Sequence, residues 1–393
     1  METEQDYISR IFDQYMISDT YGFLHGLDLP ELPEKFRVFQ NIARNLSTLL
    51  EKHQLRSVID PMPVVSTADL TDYLTMRHAH LVFALLTRGY IWQDGEDGVP
   101  PCIPEQLAVP LMDVSKRAEI QPVICHTDMV LTNYIVVDPA KPLALGNMKL
   151  RYRLSGDESC DWFFLVTVGV ELEAVDALST ILKCQYCIER GMTERVVSLL
   201  TELSHIIERI RLCFVRMHEQ LDATMFYDVV RPYLNGWHEK GMIYAGVSDE
   251  PIKVYGGSAA QCSSIQALDM FLGIHHEPDK RAFLLKMREY MPPIHSQFLE
   301  MLEVSSETKS FVQRHQEDKS LCKAYNSCVQ GMVAIRSSHI QMVVKYVTIP
   351  AAKSRGNNYN TLKNQGTGGQ NLVPFLKNIR STTQSTVIGS GEE

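Results

Sequence analysis

An apolar stripe along residues 321–346 constrains the fold more than any other feature of this 393-residue chain. Its members alternate at spacings of four and three residues, which place them on one face of a single long helix. The apolar stripe consists of Leu321, Tyr325, Cys328, Met332, Ile335, His339, Met342 and Tyr346. We predict that this face is buried and that the helix stops at Pro350, because a proline ring disfavours helix in the preceding residue.

His339 is the one member of the stripe that is not a usual core former. A buried imidazole needs hydrogen-bond partners, since an unsatisfied polar group costs roughly 1–3 kcal/mol. One interpretation is therefore a core histidine bonded to a backbone carbonyl. The other is an axial ligand, because neutral imidazole on a rigid helix suits the proximal side of a haem iron. The stripe alone leaves both open.

Composition limits the partners of the chain. The net charge is −9 and no run of basic residues occurs, which disfavours nucleic acid and anionic membranes as partners. The first residues lack the pattern of a signal peptide, and no stretch approaches the roughly 18 apolar residues of a membrane span. Nine cysteines, an odd number, indicate free thiols in a reducing compartment. We expect a soluble, cytoplasmic protein.

Hydrophobic periodicity predicts an all-α fold with two domains. Pro139, Pro142 and Gly146 interrupt the helical patterns near the middle of the chain, whereas the rest of the sequence is almost wholly helical in pattern. We therefore predict a small, mixed but mainly helical amino-terminal domain over residues 1–154. A large helical domain follows over residues 155–393.

Several local motifs carry little information by themselves. Cys184 and Cys187 form a CxxC without a second pair or a following histidine, so chance is the preferred interpretation. His275 and His276 suggest a metal site, but adjacent histidines point in different directions and solvation is preferred. The sequence also lacks the P-loop, HExxH, nucleophile-elbow and Rossmann patterns, which disfavours hydrolases and nucleotide-dependent enzymes.

The polar stretch 351–371 is predicted to be a mobile loop. It contains Gly366-Thr367-Gly368-Gly369, which is either a hinge or a segment whose backbone approaches a ligand closely. The motif alone leaves both open.

Six motifs occur in one order along the chain. They are Phe163-Phe164-Leu165-Val166-Thr167, Phe226-Tyr227 with Arg231-Pro232-Tyr233-Leu234 and Gly236-Trp237, Gly256-Gly257-Ser258-Ala259, Met291-Pro292-Pro293 with His295, Arg336 to Tyr346, and Gly366 to Gly369. Together they resemble the indoleamine 2,3-dioxygenase family, haem enzymes that open the indole ring of tryptophan. The resemblance extends from about Tyr21 to the final helix, nearly the whole chain.

The resemblance implies a haem b in the large domain. His339 corresponds to the proximal ligand of the haem iron. Arg336 resembles the family arginine near the haem propionates, with Asp269 as its associated acid; a purely structural ion pair is the alternative. Gly257 and Ser258 would also border the haem.

The resemblance further implies a substrate pocket. Phe163 and Thr167 would line its distal side, Phe226 would pack on the indole, and Arg231 would bind the substrate carboxylate with two hydrogen bonds. Thr167, Phe226 and Arg231 are the predicted catalytic residues. The other predicted substrate-binding residues are His126, Ser258, Ala259 and Thr367.

The expected reaction inserts both atoms of O2 across the C2–C3 bond of L-tryptophan or a related indoleamine. The product from tryptophan is N-formylkynurenine, and the expected partners are the indoleamine, O2 and an electron donor that keeps the iron ferrous. We expect a monomer. One alternative is a non-catalytic O2 carrier, since the family includes myoglobin-like invertebrate members. Another is a helical interaction module without haem, which leaves His339 unexplained.

The chain departs from the family pattern at three positions. Family enzymes often have serine at the position of Thr167 and tyrosine at that of His126. Most have tyrosine at the position of Ser338. The first two changes fall in the pocket, so we expect low affinity for tryptophan.

Overall fold

The computed structural model is predominantly helical, which confirms the predicted all-α class. It describes residues 2–27, 29–154, 156–237, 239–353, 366–367 and 369–389. Of the predicted loop 351–371, residues 354–365 and Gly368 lie outside the described residues. No helix in the described ranges is both long and apolar enough to cross a bilayer.

Seven α-helices lie before residue 130 in the described part of the chain. These helices are α1 (Glu4–Gln14), α2 (Arg37–Arg44), α3 (Leu46–Glu51), α4 (Leu55–Ile59), α5 (Tyr73–Trp92), α6 (Glu105–Ala118) and α7 (His126–Met129).

The later helices make up most of the remaining chain. They are α8 (Glu158–Glu173), α9 (Val175–Glu189), α10 (Thr193–Val215), α11 (Met217–Gln220), α12 (Ala223–Met225), α13 (Arg231–Leu234), α14 (Ser263–Phe271), α15 (Pro278–Arg288), α16 (Pro293–Ser305), α17 (Thr308–Arg314), α18 (Lys319–Val343), α19 (Ile349–Lys353) and α20 (Leu372–Gln384).

Two small sheets accompany the helices. Their strands are β1 (Cys102–Ile103), β2 (Tyr134–Val136), β3 (Met148–Leu150), β4 (Met242–Tyr244) and β5 (Ser248–Ile252). Strands β2 and β3 pair antiparallel, while β4 pairs parallel with β1 and antiparallel with β5. Strand β1 lies before residue 154 and its partner β4 lies after it, so one sheet contains strands from both predicted domains. The division of the chain at residue 154 stays a prediction.

The apolar stripe lies on α18 and the turn after it, as predicted. Seven of its eight members are buried, and α18 packs against α10 and α20. At Gly331 a Cβ atom would lie 2.7 Å from Ile207 Cγ2, so glycine permits this close approach of α18 to α10. His339, the eighth member, is only half-buried. Its exposed part faces a cavity, described below.

The predicted end of this helix at Pro350 is wrong. A π-helical turn, Val344–Thr348, follows α18, and helix continues through Pro350 to the end of α19. A second π-helical turn, Phe226–Val230, precedes Pro232 in the same way. A proline ring clashes with the carbonyl four residues earlier in regular α-helix, and the wider π-turn relieves this clash.

Gly236 and Gly256 bring two backbone segments into direct contact. A Cβ atom on Gly256 would lie 1.9 Å from the Leu234 carbonyl oxygen and 2.6 Å from the Gly236 nitrogen. Only glycine fits here, because backbone atoms cannot move aside as a flexible side chain can. The contact fixes the loop that contains Gly257 against the segment that contains Arg231.

We expect Gly256→Ala to lower the free energy of unfolding by about 1–3 kcal/mol or more, the usual cost of overpacking. Chemical denaturation followed by circular dichroism measures this change. Gly146→Ala is the matched control, because a Cβ atom there would meet nothing within 4 Å. Equal stability of the two variants would contradict the close backbone contact between Gly236 and Gly256.

Candidate active site

All the predicted site residues line one cavity of about 320 Å³, a volume in the range of small-molecule sites. The cavity is mostly apolar, and α7, α8, α14, α18 and the loops around residues 257 and 367 contribute to its wall. The predicted residues found there are His126, Phe163, Thr167, Phe226, Arg231, Gly257, Ser258, Ala259, Asp269, Arg336, His339 and Thr367. Their proximity agrees with the predicted site, and their individual roles stay predictions.

His339 presents a neutral imidazole to this cavity. Its ring nitrogens have no hydrogen-bond partner among the described residues, and the Phe214 ring lies edge-on at 5.9 Å. Burial, with the positive charge of Arg336, lowers the pKa of His339 to about 4, so the ring is unprotonated at pH 7. The core-histidine interpretation requires a carbonyl partner, which is absent in this part of the structure. A lone pair directed at an apolar space instead fits a metal ligand.

Arg336 and Asp269 form a buried ion pair in the cavity wall. Arg336 Nη2 donates to both carboxylate oxygens of Asp269 at 2.6 Å, and His276 Nε2 lies 3.4 Å from the same carboxylate. Burial opposes ionisation of Asp269, but Arg336 and His276 hold the pKa of this carboxyl below its usual value. The preference for solvated histidines is thus wrong for His276, which is buried, although His275 is exposed.

Polar atoms in the cavity wall that lack hydrogen-bond partners are suited to a haem group. Arg336 Nη1 and His276 Nδ1 are buried and lack hydrogen-bond partners among the described residues. Both residues line the cavity, so their nitrogens are suited to the carboxylates of haem propionates. His339 supplies a neutral nitrogen for iron within the same apolar wall.

Three aromatic rings pack together in the wall, and a threonine lies on the same helix as one of them. The rings of Phe163 and Phe226 lie 4.7 Å apart, and Tyr346 packs edge-on against Phe226 at 6.3 Å. The Thr167 hydroxyl donates to the Phe163 carbonyl at 2.8 Å, within α8. Because that proton is engaged, Thr167 adds a stiff side chain to the cavity but no free proton donor.

Arg231 is a buried cation in this apolar wall. It is 2% exposed, and its guanidinium carbon lies 5.4 Å from the centre of the Tyr227 ring. Burial lowers the pKa of Arg231 to about 10, so the side chain remains charged at pH 7. A charged fork in an apolar cavity can bind a carboxylate strongly.

Arg88, which the sequence analysis missed, positions the segment around Arg231. From α5, Arg88 Nε donates to the Tyr233 carbonyl at 2.8 Å, and Nη2 donates to the Pro232 carbonyl at 2.9 Å. The last carbonyls of a helix lack most of their intrahelical donors, and these contacts bind two of them at the end of α13 to α5. The sequence signal for this role was an arginine within the apolar run of α5, which indicates a buried polar partner.

The loop at Thr367 contacts the glycine loop directly. Thr367 Oγ1 donates to the Gly257 carbonyl at 2.5 Å, and the Gly256 N–H donates to the Thr367 carbonyl at 3.1 Å. Nearby, the Ser258 hydroxyl accepts from the Ala260 N–H at 3.2 Å. The two loops therefore close one side of the cavity together.

His126 begins α7 and is held at two points. Its N–H donates to Gln261 Oε1 at 3.0 Å, and its Nε2 lies 2.9 Å from Glu171 Oε1. Glu171, from α8, is buried and also accepts from Cys262 and Ser264. Burial opposes its ionisation, but these partners hold the pKa of Glu171 below its usual value. Glu171 was not predicted as a site residue, although an acid directly after the apolar run of α8 was a signal.

Comparison with known proteins identifies the relatives of this chain. The family model for indoleamine 2,3-dioxygenase matches residues 11–386. Human indoleamine 2,3-dioxygenase 2 is 37% identical over 388 residues, covering 96% of this chain and 95% of the human protein. Mouse indoleamine 2,3-dioxygenase 1 is 35% identical over 393 residues, covering 96% of each chain.

A protein named myoglobin, from Haliotis madaka, is 36% identical over 380 residues, covering 94% of this chain and 97% of its own. The matched region includes the cavity and extends over nearly the whole fold. The resemblance noted from six motifs is confirmed, and the chain belongs to the indoleamine 2,3-dioxygenase family.

Proposed function

We propose that this protein is a haem-dependent dioxygenase that inserts both atoms of O2 across the C2–C3 bond of L-tryptophan. The product is N-formylkynurenine, the first product of the kynurenine pathway. One observation carries the proposal: a buried cation, Arg231, lines the same apolar cavity as the paired rings of Phe163 and Phe226. An amino acid with a flat aromatic side chain complements that arrangement.

The cofactor we propose is haem b. His339 would bind the iron, and Arg336 and His276 would bind the propionates, as their unsatisfied nitrogens suggest. When bound, the haem supplies the iron chemistry that activates O2, which no side chain of the cavity can do.

The residues of the chain bind and orient the substrate. Arg231 takes the carboxylate, and Phe226, next to Phe163, packs on the indole ring. The Thr167 hydroxyl donates its hydrogen bond to the Phe163 carbonyl, so this residue does not release a proton into the cavity. Thr367 bonds to the Gly257 loop and limits the entry of water.

The competing function is that of a non-catalytic O2 carrier, which the similarity to the relative named myoglobin supports. Arg231 argues against it, because a carrier of a neutral diatomic gas has no use for a buried carboxylate-binding group. The departures at Thr167 and His126 argue for low tryptophan affinity but not for its loss.

Turnover of tryptophan tests the proposal directly. The haem-loaded protein is mixed with ascorbate, a redox mediator, O2 and tryptophan, and N-formylkynurenine is followed by its absorbance. We expect product at a rate proportional to protein concentration, with a high KM. A stable oxygenated protein that makes no product at millimolar tryptophan would establish the carrier instead.

We also propose that the protein is a cytoplasmic monomer that depends on a separate electron donor. The nine free cysteines, eight of them buried, suit a reducing compartment. Size-exclusion chromatography with light scattering tests the monomer, and omission of the reductant tests the electron donor.

Thr167→Ser should separate catalysis from O2 binding. Serine keeps the hydroxyl that donates to Phe163 and removes only a methyl group from a residue of the cavity wall. We expect kcat/KM for tryptophan to rise severalfold, because a misplacement of about 1 Å can cost on the order of a hundredfold in rate. The O2 dissociation rate, measured by stopped flow, should change little.

Thr201→Ser is the matched control for this substitution. Thr201 is exposed on α10, and its hydroxyl donates to the Val197 carbonyl at 2.8 Å in the same local geometry. This variant should behave as wild type. If Thr167→Ser alters O2 dissociation more than kcat/KM, the side chain acts on the diatomic ligand rather than on the indole.

A further inference from the structure

A nitrogen, an oxygen and a sulfur donor converge in the wall of the cavity. His126 at the start of α7, Glu171 in α8 and Cys262 just before α14 are all buried. His126 Nε2 lies 2.9 Å from Glu171 Oε1, and Cys262 Sγ lies 3.1 Å from the same oxygen. The three donor atoms all lie within 4.8 Å of one another. Residues far apart in sequence therefore present three potential metal ligands at one point.

Neighbouring groups hold these donors in place. Ser264 Oγ donates to Glu171 Oε2 at 2.5 Å, which leaves Oε1 for His126 and Cys262. Gln261, next to Cys262 in the chain, accepts the backbone N–H of His126 at 3.0 Å. Such outer contacts orient the ligands of metal sites and raise their affinity.

The donor set selects a particular class of ion. Imidazole, carboxylate and thiolate together suit zinc and similar borderline-soft ions, whereas magnesium and calcium prefer oxygen ligands alone. One thiolate and one carboxylate would balance the charge of a divalent ion, which matters for a buried site. Burial and the charge of Glu171 raise the pKa of the Cys262 thiol well above its usual value, so ion binding must release that proton.

We propose that His126, Glu171 and Cys262 form a binding site for Zn²⁺ or a similar ion in the wall of the substrate cavity. His126 and Cys262 line the cavity, whereas Glu171 lies behind them. A tetrahedral ion held by three protein ligands has a fourth position for water or another ligand. Because two of the three ligands line the cavity, a bound ion would narrow the space for substrate.

Metal titration of the haem-loaded, full-length protein tests the site. Calorimetry measures Zn²⁺ binding, and Cd²⁺ gives a charge-transfer absorption when it binds a thiolate. We expect one equivalent of either ion to bind, with the Cd–thiolate absorption. Failure of the wild type to bind a stoichiometric ion would overturn the site.

Variants assign the binding to these residues. Cys262→Ser should abolish the Cd–thiolate absorption and weaken Zn²⁺ binding by more than about tenfold, since even loss of an outer-sphere partner costs roughly 10–100-fold. His126→Tyr should weaken it similarly, and it provides a second test if the cysteine variant does not fold. Cys102→Ser, at the one cysteine that is not buried, is the control and should bind as wild type. Unchanged binding in a folded Cys262→Ser or His126→Tyr variant would refute the assignment.

Enzyme kinetics then tests whether a bound ion narrows the space for substrate, a consequence that rests on the proposed function. Zn²⁺ should raise the tryptophan KM of the wild type and leave that of His126→Tyr unchanged. A bound ion that leaves the wild-type KM unchanged would contradict the position assigned to the site. Absence of any turnover without zinc would contradict the proposed function instead, and the binding experiment would still decide on the site.

Discussion

Replacing His339 with alanine should give protein that retains at most about a tenth of the wild-type haem. His339 is the neutral imidazole in the cavity wall, and alanine offers no ligand atom. Even the loss of an outer-sphere partner costs roughly 10–100-fold in metal affinity, so losing a direct ligand should cost at least as much. The ratio of Soret to protein absorbance after purification measures the haem content.

Two further variants make this result specific. His339→Gly should regain haem and its ferrous spectrum when imidazole is added, because the small ligand can occupy the space of the missing ring. His205→Ala, at an exposed position on α10, should keep the wild-type haem content. A normal haem complement in His339→Ala would require another histidine as the ligand.

The long helix at the centre of the fold was predictable because its signal is local. The spacing of Leu321, Tyr325 and Cys328 fixes one face of α18, and that face is buried. The spacing could not reveal that the face opens onto a cavity at His339. Whether an imidazole meets a carbonyl or a space depends on α10 and other segments distant in sequence. For that reason the helical pattern alone left the core and ligand interpretations open, and the ligand interpretation rested on the family resemblance.

The helix end at Pro350 shows the limit of local rules. Proline disfavours a continuous α-helix, and the rule is correct for regular i to i−4 bonding. Here the Ile349 N–H bonds to the Val344 carbonyl, five residues back, and the chain remains helical. Packing of Tyr346 against Phe226 stabilises the π-turn, and this contact between distant segments has no counterpart in a local pattern.

Some residues of the candidate site could likewise be predicted from the sequence, and others could not. Phe163, Arg231 and His339 could be proposed because they belong to motifs that occur in a family order. Arg88 and Glu171 could not, since their roles depend on bonds to residues 145 and 45 positions away. Each was visible only as a charge in an apolar helix, a pattern that signals a buried partner without identifying it.

Replacing Arg231 with alanine should raise the tryptophan KM roughly 10–100-fold, with haem content and O2 binding intact. A hydrogen bond to a charged group contributes about 1.5–3 kcal/mol, which corresponds to that range. The Arg231 side chain is buried in the cavity wall and stays charged at pH 7. In the alanine variant, little water is therefore available to hydrogen-bond the substrate carboxylate in its place. Steady-state kinetics over a wide range of tryptophan concentrations measures the change.

Comparison of two substrates shows whether Arg231 acts on the carboxylate. Tryptamine is tryptophan without that group, so wild type and Arg231→Ala should process it with similar kcat/KM. Arg231→Lys keeps the charge but offers no planar fork, and we expect a tryptophan KM between those of wild type and alanine. If Arg231→Ala impairs tryptamine as severely as tryptophan, the guanidinium supports the π-turn and the Phe226 ring rather than the substrate. An unchanged tryptophan KM would remove Arg231 from the site altogether.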